Sequence, residues 1–280
     1  MSYPFLQCLD RVERAKTHRE TAGKLWNAFV ADNPYESTLE IDDEGKGSIW
    51  IEQTKPLPPE LPFIFGECLY QLRAALDSCV YEAVCLQTGQ RPPANEQNLE
   101  FVIRDSRSAF DKARWKLSPL SLDRQAVIEK IQPYNAPKLE DSDRPFNYNR
   151  GIAILNDWAR RDRHRKLHVV AMWADNVNPL LWIPKDTGIR LVDFEVPAER
   201  FVFKNQHEVA NFKLAGHKPG TNIRANPNLS FDVLIDEAPL PCHPKDTLEN
   251  RLHCMTVAVV EVIAEMAMTF AAQFPAIMRN

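Results

Sequence analysis

The 280-residue chain predicts a mixed α+β fold: a helical bundle of about four long helices with an inserted antiparallel β-sheet ahead of the last one. Three observations lead there. Apolar residues recur at three- and four-residue steps in four long stretches, the period of an amphipathic helix. Between Leu167 and Asp236 the period changes to two, and prolines, glycines and asparagines separate the short runs, as in antiparallel strands. The composition, 44% hydrophobic and 26% charged, is that of a chain that buries a core. The first and last helices need each other to cover their apolar faces, so one domain is expected, helical over about 5–165 and 246–275 with a β-rich insertion over about 167–236.

Leu6 to Phe29 reads as an amphipathic helix stopped before Pro34, because the residue preceding a proline is pushed out of helical geometry. Ser37–Ile41 and Ser48–Gln53 are β-prone, and Asp42-Asp43-Glu44-Gly45-Lys46-Gly47 between them supplies the turn of a hairpin. The proline-rich segment from Pro56 to Pro62 is expected to be rigid and extended. A second helix follows over about Phe65–Gln87, with Leu69, Leu72, Leu76, Cys79, Val80 and Ala83 on one stripe and Gly89 closing it. Asn98–Arg104 reads as a strand, and Ser106–Lys116 and Leu122–Ile131 as short helices, the second broken by Gln132-Pro133-Tyr134. A polar surface loop spans Asn135–Arg144. Ile152, Ile154, Leu155 and Trp158 give the next helix, about Asn147–Arg163, its core face. The strand pattern then shows at Leu167–Val169, Leu180–Trp182, Ile189–Leu191, Phe201–Phe203 and Phe231–Ile235. A last helix starts near Asp246, with Glu249 completing a capping box, and ends before Pro275.

Several classes of function are excluded or disfavoured. Glu261 and Glu265 lie inside the longest apolar stretch, where each carboxylate would cost roughly a few kcal/mol in lipid, so no membrane span is expected. The start, Met1-Ser2-Tyr3-Pro4-Phe5, lacks a basic segment followed by an apolar run, so no secretory leader is expected. Cys8, Cys68, Cys79, Cys85, Cys242 and Cys254 show no tight repeated spacing and read as reduced thiols of a cytoplasmic protein. Phosphate loops, dinucleotide fingerprints and nucleophile elbows are absent from the sequence, so no cofactor is expected. The net charge of −4 disfavours nucleic-acid binding over the whole surface but leaves room for a local patch.

That patch is Arg160-Arg161-Asp162-Arg163-His164-Arg165-Lys166-Leu167-His168, placed where a helix gives way to a strand. His moves protons near neutral pH, and Arg grips phosphate with two parallel donors, a pairing suited to metal-free RNA cleavage. Arg161 and Arg163 are the candidate phosphate ligands, His164 and His168 the candidate proton carriers, Asp162 a candidate orienting carboxylate, and Arg165 a binding or orienting residue. A solvated basic helix end, favoured by the helix dipole, explains the same residues without chemistry. Metal is a weaker expectation. His164 and His168 are four apart but have cations between them, and Cys242-His243 with His253-Cys254 fit no common zinc spacing. Arg73 and Asp77 lie one turn apart on the second helix. They serve either to orient the basic cluster or only to satisfy each other.

The run Gly66-Glu67-Cys68-Leu69-Tyr70-Gln71-Leu72-Arg73-Ala74-Ala75-Leu76-Asp77-Ser78 resembles a motif, G-x-x-L-x-x-L-R-x-A-L-D-H, of a group of uncharacterised bacterial proteins. Arg14-Ala15-Lys16-Thr17-His18, Gln132-Pro133-Tyr134 and Asp162-Arg163-His164-Arg165 resemble that group's R-A-x-x-H, Q-P-Y and N-x-x-D-K-H-R, so the resemblance covers about residues 11–170. Its helical order and Arg-to-His spacing look like HEPN-type ribonucleases, which implies metal-independent RNA cleavage with RNA as partner; a homodimer is expected only as the commonest form of assembly. One departure stands out: Ser78 occupies the place of the motif's final His. A non-catalytic binding or structural protein, with the Arg/His cluster as an ion network, is the opposing expectation, and a small-molecule or metal-binding enzyme the third.

Overall fold

The computed structural model describes residues 4–137, 148–164, 169–198, 201–203, 205–235 and 248–271, with backbone alone at 163–164, 169–173, 175, 202–203 and 232–235. It is a mixed helix-and-sheet protein with antiparallel strand pairing, in two compact units: 1–23 with 62–167 and 238–280, and 24–61 with 168–237. Among the described residues no helix is long and apolar enough to cross a membrane.

The first unit holds four long helices: α1 (Leu6–Ala31, in this unit up to Gly23), α2 (Leu61–Thr88), α5 (Tyr148–His164) and α6 (Leu248–Met268). Short α3 (Arg107–Ala113) and α4 (Leu122–Lys130) lie between α2 and α5 in the chain. The stripe that predicts α2 is its core: Leu69, Leu72, Leu76, Cys79, Val80 and Ala83 are fully buried. Phe5, just before α1, meets Phe270, just after α6; Arg11 of α1 donates to Gln71 of α2, and Phe65 of α2 meets Trp158 of α5. The helix begins earlier than expected, at Leu61, because a proline is tolerated in the first turn, where the missing N–H has no helical partner anyway.

The segment Asn98–Arg104 is not the strand that its apolar run predicts. After a short 3₁₀ turn, Glu96–Asn98, it runs on without a ladder, and Phe101, Val102 and Ile103 are all buried. Side chains replace the missing strand partner. The Phe101 N–H donates to Asp77, Arg73 donates to the Phe101 carbonyl, and Gln132 donates to the Val102 carbonyl and accepts from the Arg104 N–H.

The second unit is built on a four-stranded antiparallel sheet in the order β1 (Tyr35–Ile41), β2 (Lys46–Gln53), β7 (Gln206–Ala215), β5 (Arg190–Glu195). β3 (Val169–Asp175) pairs with β6 (Phe201–Phe203) and β9 (Ser230–Ile235), and β4 (Leu180–Trp182) with β8 (Arg224–Asn226). The expected hairpin is present, its turn closed by Asp42, which accepts from the Glu44 and Lys46 amides, and by Gly45 at φ +78°. Ile49, Ile51, Val209, Ala210, Phe212 and Leu214 bury a core that Trp26 and Phe29 also cover. The sequence reading passes over β7, the longest strand. Val209 and Ala210 are both buried, and this break in alternation lies beside the register shift opposite Ile49 and Trp50.

Candidate functional site

The first unit brings α2 against α5 at one point with unusual closeness. Phe65 and Trp158 pack with ring centroids 5.5 Å apart, and one residue on, Gly66 faces Asp162. A Cβ at position 66 would lie 2.7 Å and 2.9 Å from the two carboxylate oxygens of Asp162, so glycine is what lets that carboxylate rest on the helix. Beside this contact opens a cavity of about 70 Å³ lined by Tyr70, Arg73, Ala74 and Asp77 of α2 and by Ala159 and Asp162 of α5. The helical period places these side chains. Positions 70, 73, 74 and 77 form one face of α2, and 159 and 162 one face of α5.

The α2 pair supplies two of the charges on the cavity's described wall. Arg73 lies 3.1 Å from the Asp77 carboxylate, as the one-turn spacing predicts. Both ends of the pair also reach the backbone of Phe101: Arg73 donates to its carbonyl at 2.8 Å and Asp77 accepts its N–H at 2.8 Å. The pair therefore works as a clamp on a buried segment as well as a wall of the cavity. With Asp162 opposite, the described walls hold two carboxylates and one guanidinium.

The basic cluster is only partly brought to this place. Asp162 lines the cavity. Arg161 sits on the same last turns of α5, its Nε 2.9 Å from Asp157, which also accepts from Arg160 at 3.1 Å. Arg163 and His164 end the α5 backbone, and Arg165 and His168 lie outside the described residues, as do Cys242 and His243. His253 is on exposed α6 surface, 3.4 Å from Arg19, and Cys254 is half-buried. No group of three or more metal-ligating residues occurs among the described residues. Cys8, Cys68, Cys79 and Cys85 are buried free thiols, and burial pushes Cys8 and Cys68 up to about 12.

Two residues of this site escape a reading of the sequence for chemistry. Gly66 is the lone glycine of a long apolar helix, a signal of close approach that marks no particular partner. Tyr70 falls off the apolar stripe and is 54% exposed at the cavity, an aromatic on the face where charge is expected. Compared with protein-family models, curated proteins and solved structures, the chain gives no match.

Proposed function

We propose that the protein is a metal-independent, HEPN-like endoribonuclease of the defence or toxin type, with its active site at the end of α5. One observation carries the reading. Asp162 of the basic cluster and the Arg73–Asp77 pair, far apart in sequence, line a single cavity. It lies in the unit where Lys and Arg outnumber Asp and Glu, whereas the β-rich unit is acidic. RNA is attracted to local positive charge, so the helical unit is the one that suits it. In this reading α1, α2, α5 and α6 form one bundle.

The chemistry follows from the residue types. A histidine, His164 or His168, takes the proton of a ribose 2′-hydroxyl, whose oxygen attacks the adjacent phosphorus. The bond from phosphorus to the 5′-oxygen breaks, a second acid returns a proton to that oxygen, and a 2′,3′-cyclic phosphate remains. Arg161, Arg163 and Arg165 hold the phosphate as negative charge develops on its oxygens. Asp162 and Asp77 supply carboxylates that orient the histidine. Buried reduced cysteines suit a cytoplasmic protein, and a closed homodimer is the commonest form of assembly.

The experiment is cleavage of RNA by purified protein in EDTA beside Arg161→Ala and His168→Ala. Cleavage that survives the chelator and disappears in both variants is the expected result. Absence of cleavage on single-stranded and structured RNA alike would sink the reading. A second reading, a non-catalytic binding or structural protein, is favoured by one specific observation: Arg73 and Asp77 already close on the Phe101 backbone. On that reading His164→Ala and His168→Ala lower the melting temperature, whereas at a functional site they leave it nearly intact.

A further inference from the structure

We infer that β5 is a self-pairing edge: two copies of the chain join their β5 strands antiparallel about a dyad between Val192 and Asp193, making one continuous sheet. The inference lies wholly in the β-rich unit and does not rest on the ribonuclease reading, to whose homodimer it gives an interface.

Among the described residues β5 pairs with β7 alone, and every residue of the strand except Phe194 is exposed. Leu191 and Val192 are 45% and 63% exposed, an apolar pair on an edge where charge or proline usually stands. The Phe194 N–H donates to the side chain of its neighbour Asp193 at 2.9 Å, which stands in for a strand partner.

A bulge makes the strand read alike from both ends. Strict alternation would set Leu191 and Phe194 on opposite faces. The register shift at Val192 instead sets Leu191 opposite Leu214 and Phe194 opposite Phe212, both core residues, so the two share one face. Arg190, Asp193 and Glu195 stand opposite Ala215, Lys213 and Asn211 on the other. In a symmetric pair, Arg190 of one copy therefore meets Glu195 of the other, and Leu191 meets Phe194. Each contact occurs twice, because a two-fold interface must be complementary to itself. The Asp193 side chains come closest to the dyad, and the Lys213 opposite each in the β7 register offsets their charge. The far edge of the sheet lacks this property. β1 paired with itself about Thr38 sets Glu36 against Glu40, and β1 also lies beside β8.

The test is sedimentation velocity of the full chain over a concentration series, with Arg190→Glu, Glu195→Arg, the double variant, and an equimolar mixture of the two single variants. A six-residue edge is a small interface, so a weak, concentration-dependent dimer is the expected wild-type result. Each single variant sets like charges opposite each other twice and weakens the dimer about tenfold. The double variant restores the wild-type constant, and the mixture forms a heterodimer at least as tight. Both side chains are exposed, so urea midpoints stay as in the wild type, which separates a lost interface from a lost fold. A monomer at every concentration overturns the inference. So does a mass that grows past the dimer, since head-to-tail pairing of β5 with β1 does not close. A dimer indifferent to both single variants overturns it, as does one that neither the double variant nor the mixture restores. A monomer that cleaves RNA removes the interface and keeps the ribonuclease reading. A β5 dimer that cleaves none does the reverse.

Discussion

Replacing Gln132 with methionine tests whether side chains hold the segment 101–104 in place of a strand partner. Gln132 is fully buried, and its amide makes three bonds: to the Val102 carbonyl at 2.7 Å, to the Ile128 carbonyl at 2.9 Å and from the Arg104 N–H at 2.8 Å. The Ile128 carbonyl belongs to the last turn of α4, where the Gln132 N–H turns instead to Glu129, so the side chain also caps that helix. Methionine keeps length and volume, so packing changes little. Three backbone groups are left in the interior without these partners, each at about 1–3 kcal/mol. With partial relaxation the sum is a loss of about 3–5 kcal/mol, a large part of the roughly 5–15 kcal/mol that holds a domain folded. Urea unfolding followed by circular dichroism measures it as a lower midpoint at unchanged slope. Gln132→Glu should be at least as harmful at neutral pH, since it keeps the acceptor but buries a charge. A loss under about 1 kcal/mol for the methionine variant would refute the argument, because a dispensable Gln132 means the segment is held by apolar burial alone.

Three further outcomes follow from the same structure. Gly66→Ala should leave stability within about 1 kcal/mol, the gain in helix propensity offsetting a displaced Asp162 rotamer; a loss above about 2 kcal/mol in urea unfolding would mean that the carboxylate cannot move aside. Arg124→Met should cost about 2–3 kcal/mol in urea unfolding, since the buried guanidinium donates to Gln87 and to Thr269 and lies 3.6 Å over the Phe270 ring; a neutral result would mean that desolvation cancels those contacts. Alkali should destabilise the fold through Cys8 and Cys68. Their thiols rise from 9.0 to about 12 on burial, so the folded chain keeps protons that the unfolded chain gives up. Stability is complete below pH 9 and falls by about 1.4 kcal/mol per pH unit per thiol above it, and Cys8→Ala should shallow that slope in unfolding midpoints taken between pH 8 and 10.5.

What the sequence makes legible is what repeats along it. The three- and four-residue steps of α2 place its buried stripe correctly, because a helix buries residues it can count by itself. The pair Arg73–Asp77 is legible for the same reason. The start of α2 is misjudged because a proline reads as a breaker, although its cost vanishes in a first turn. Asn98–Arg104 is misread for a longer-range reason. Three consecutive buried apolar residues look like a buried strand, but their backbone partners are side chains from positions 73, 77 and 132, which no local pattern displays. The cavity is illegible in the same way. Asp162 and Asp77 can each be named as candidates, while Tyr70 becomes one only when α5 brings Ala159 and Asp162 opposite it.

The residues of α1, α2 and α5 that the sequence singles out, with Gln132, divide into two kinds of work, and the division bears on how far a sequence pattern speaks for chemistry. Ala15, Leu69, Leu72 and Leu76 are core, and Gln132 bonds the same buried segment that Arg73 and Asp77 hold at Phe101. Two motifs distant in sequence thus converge on four residues of backbone. Such a pattern serves the fold, with or without an activity. Gly66 and Asp162 are different: the fold asks only that they not collide, and a larger residue paired with a smaller one would meet that need as well. A higher urea midpoint for the double variant Gly66→Ala with Asp162→Ser would show that packing does not demand this pairing, and a lower one that it does.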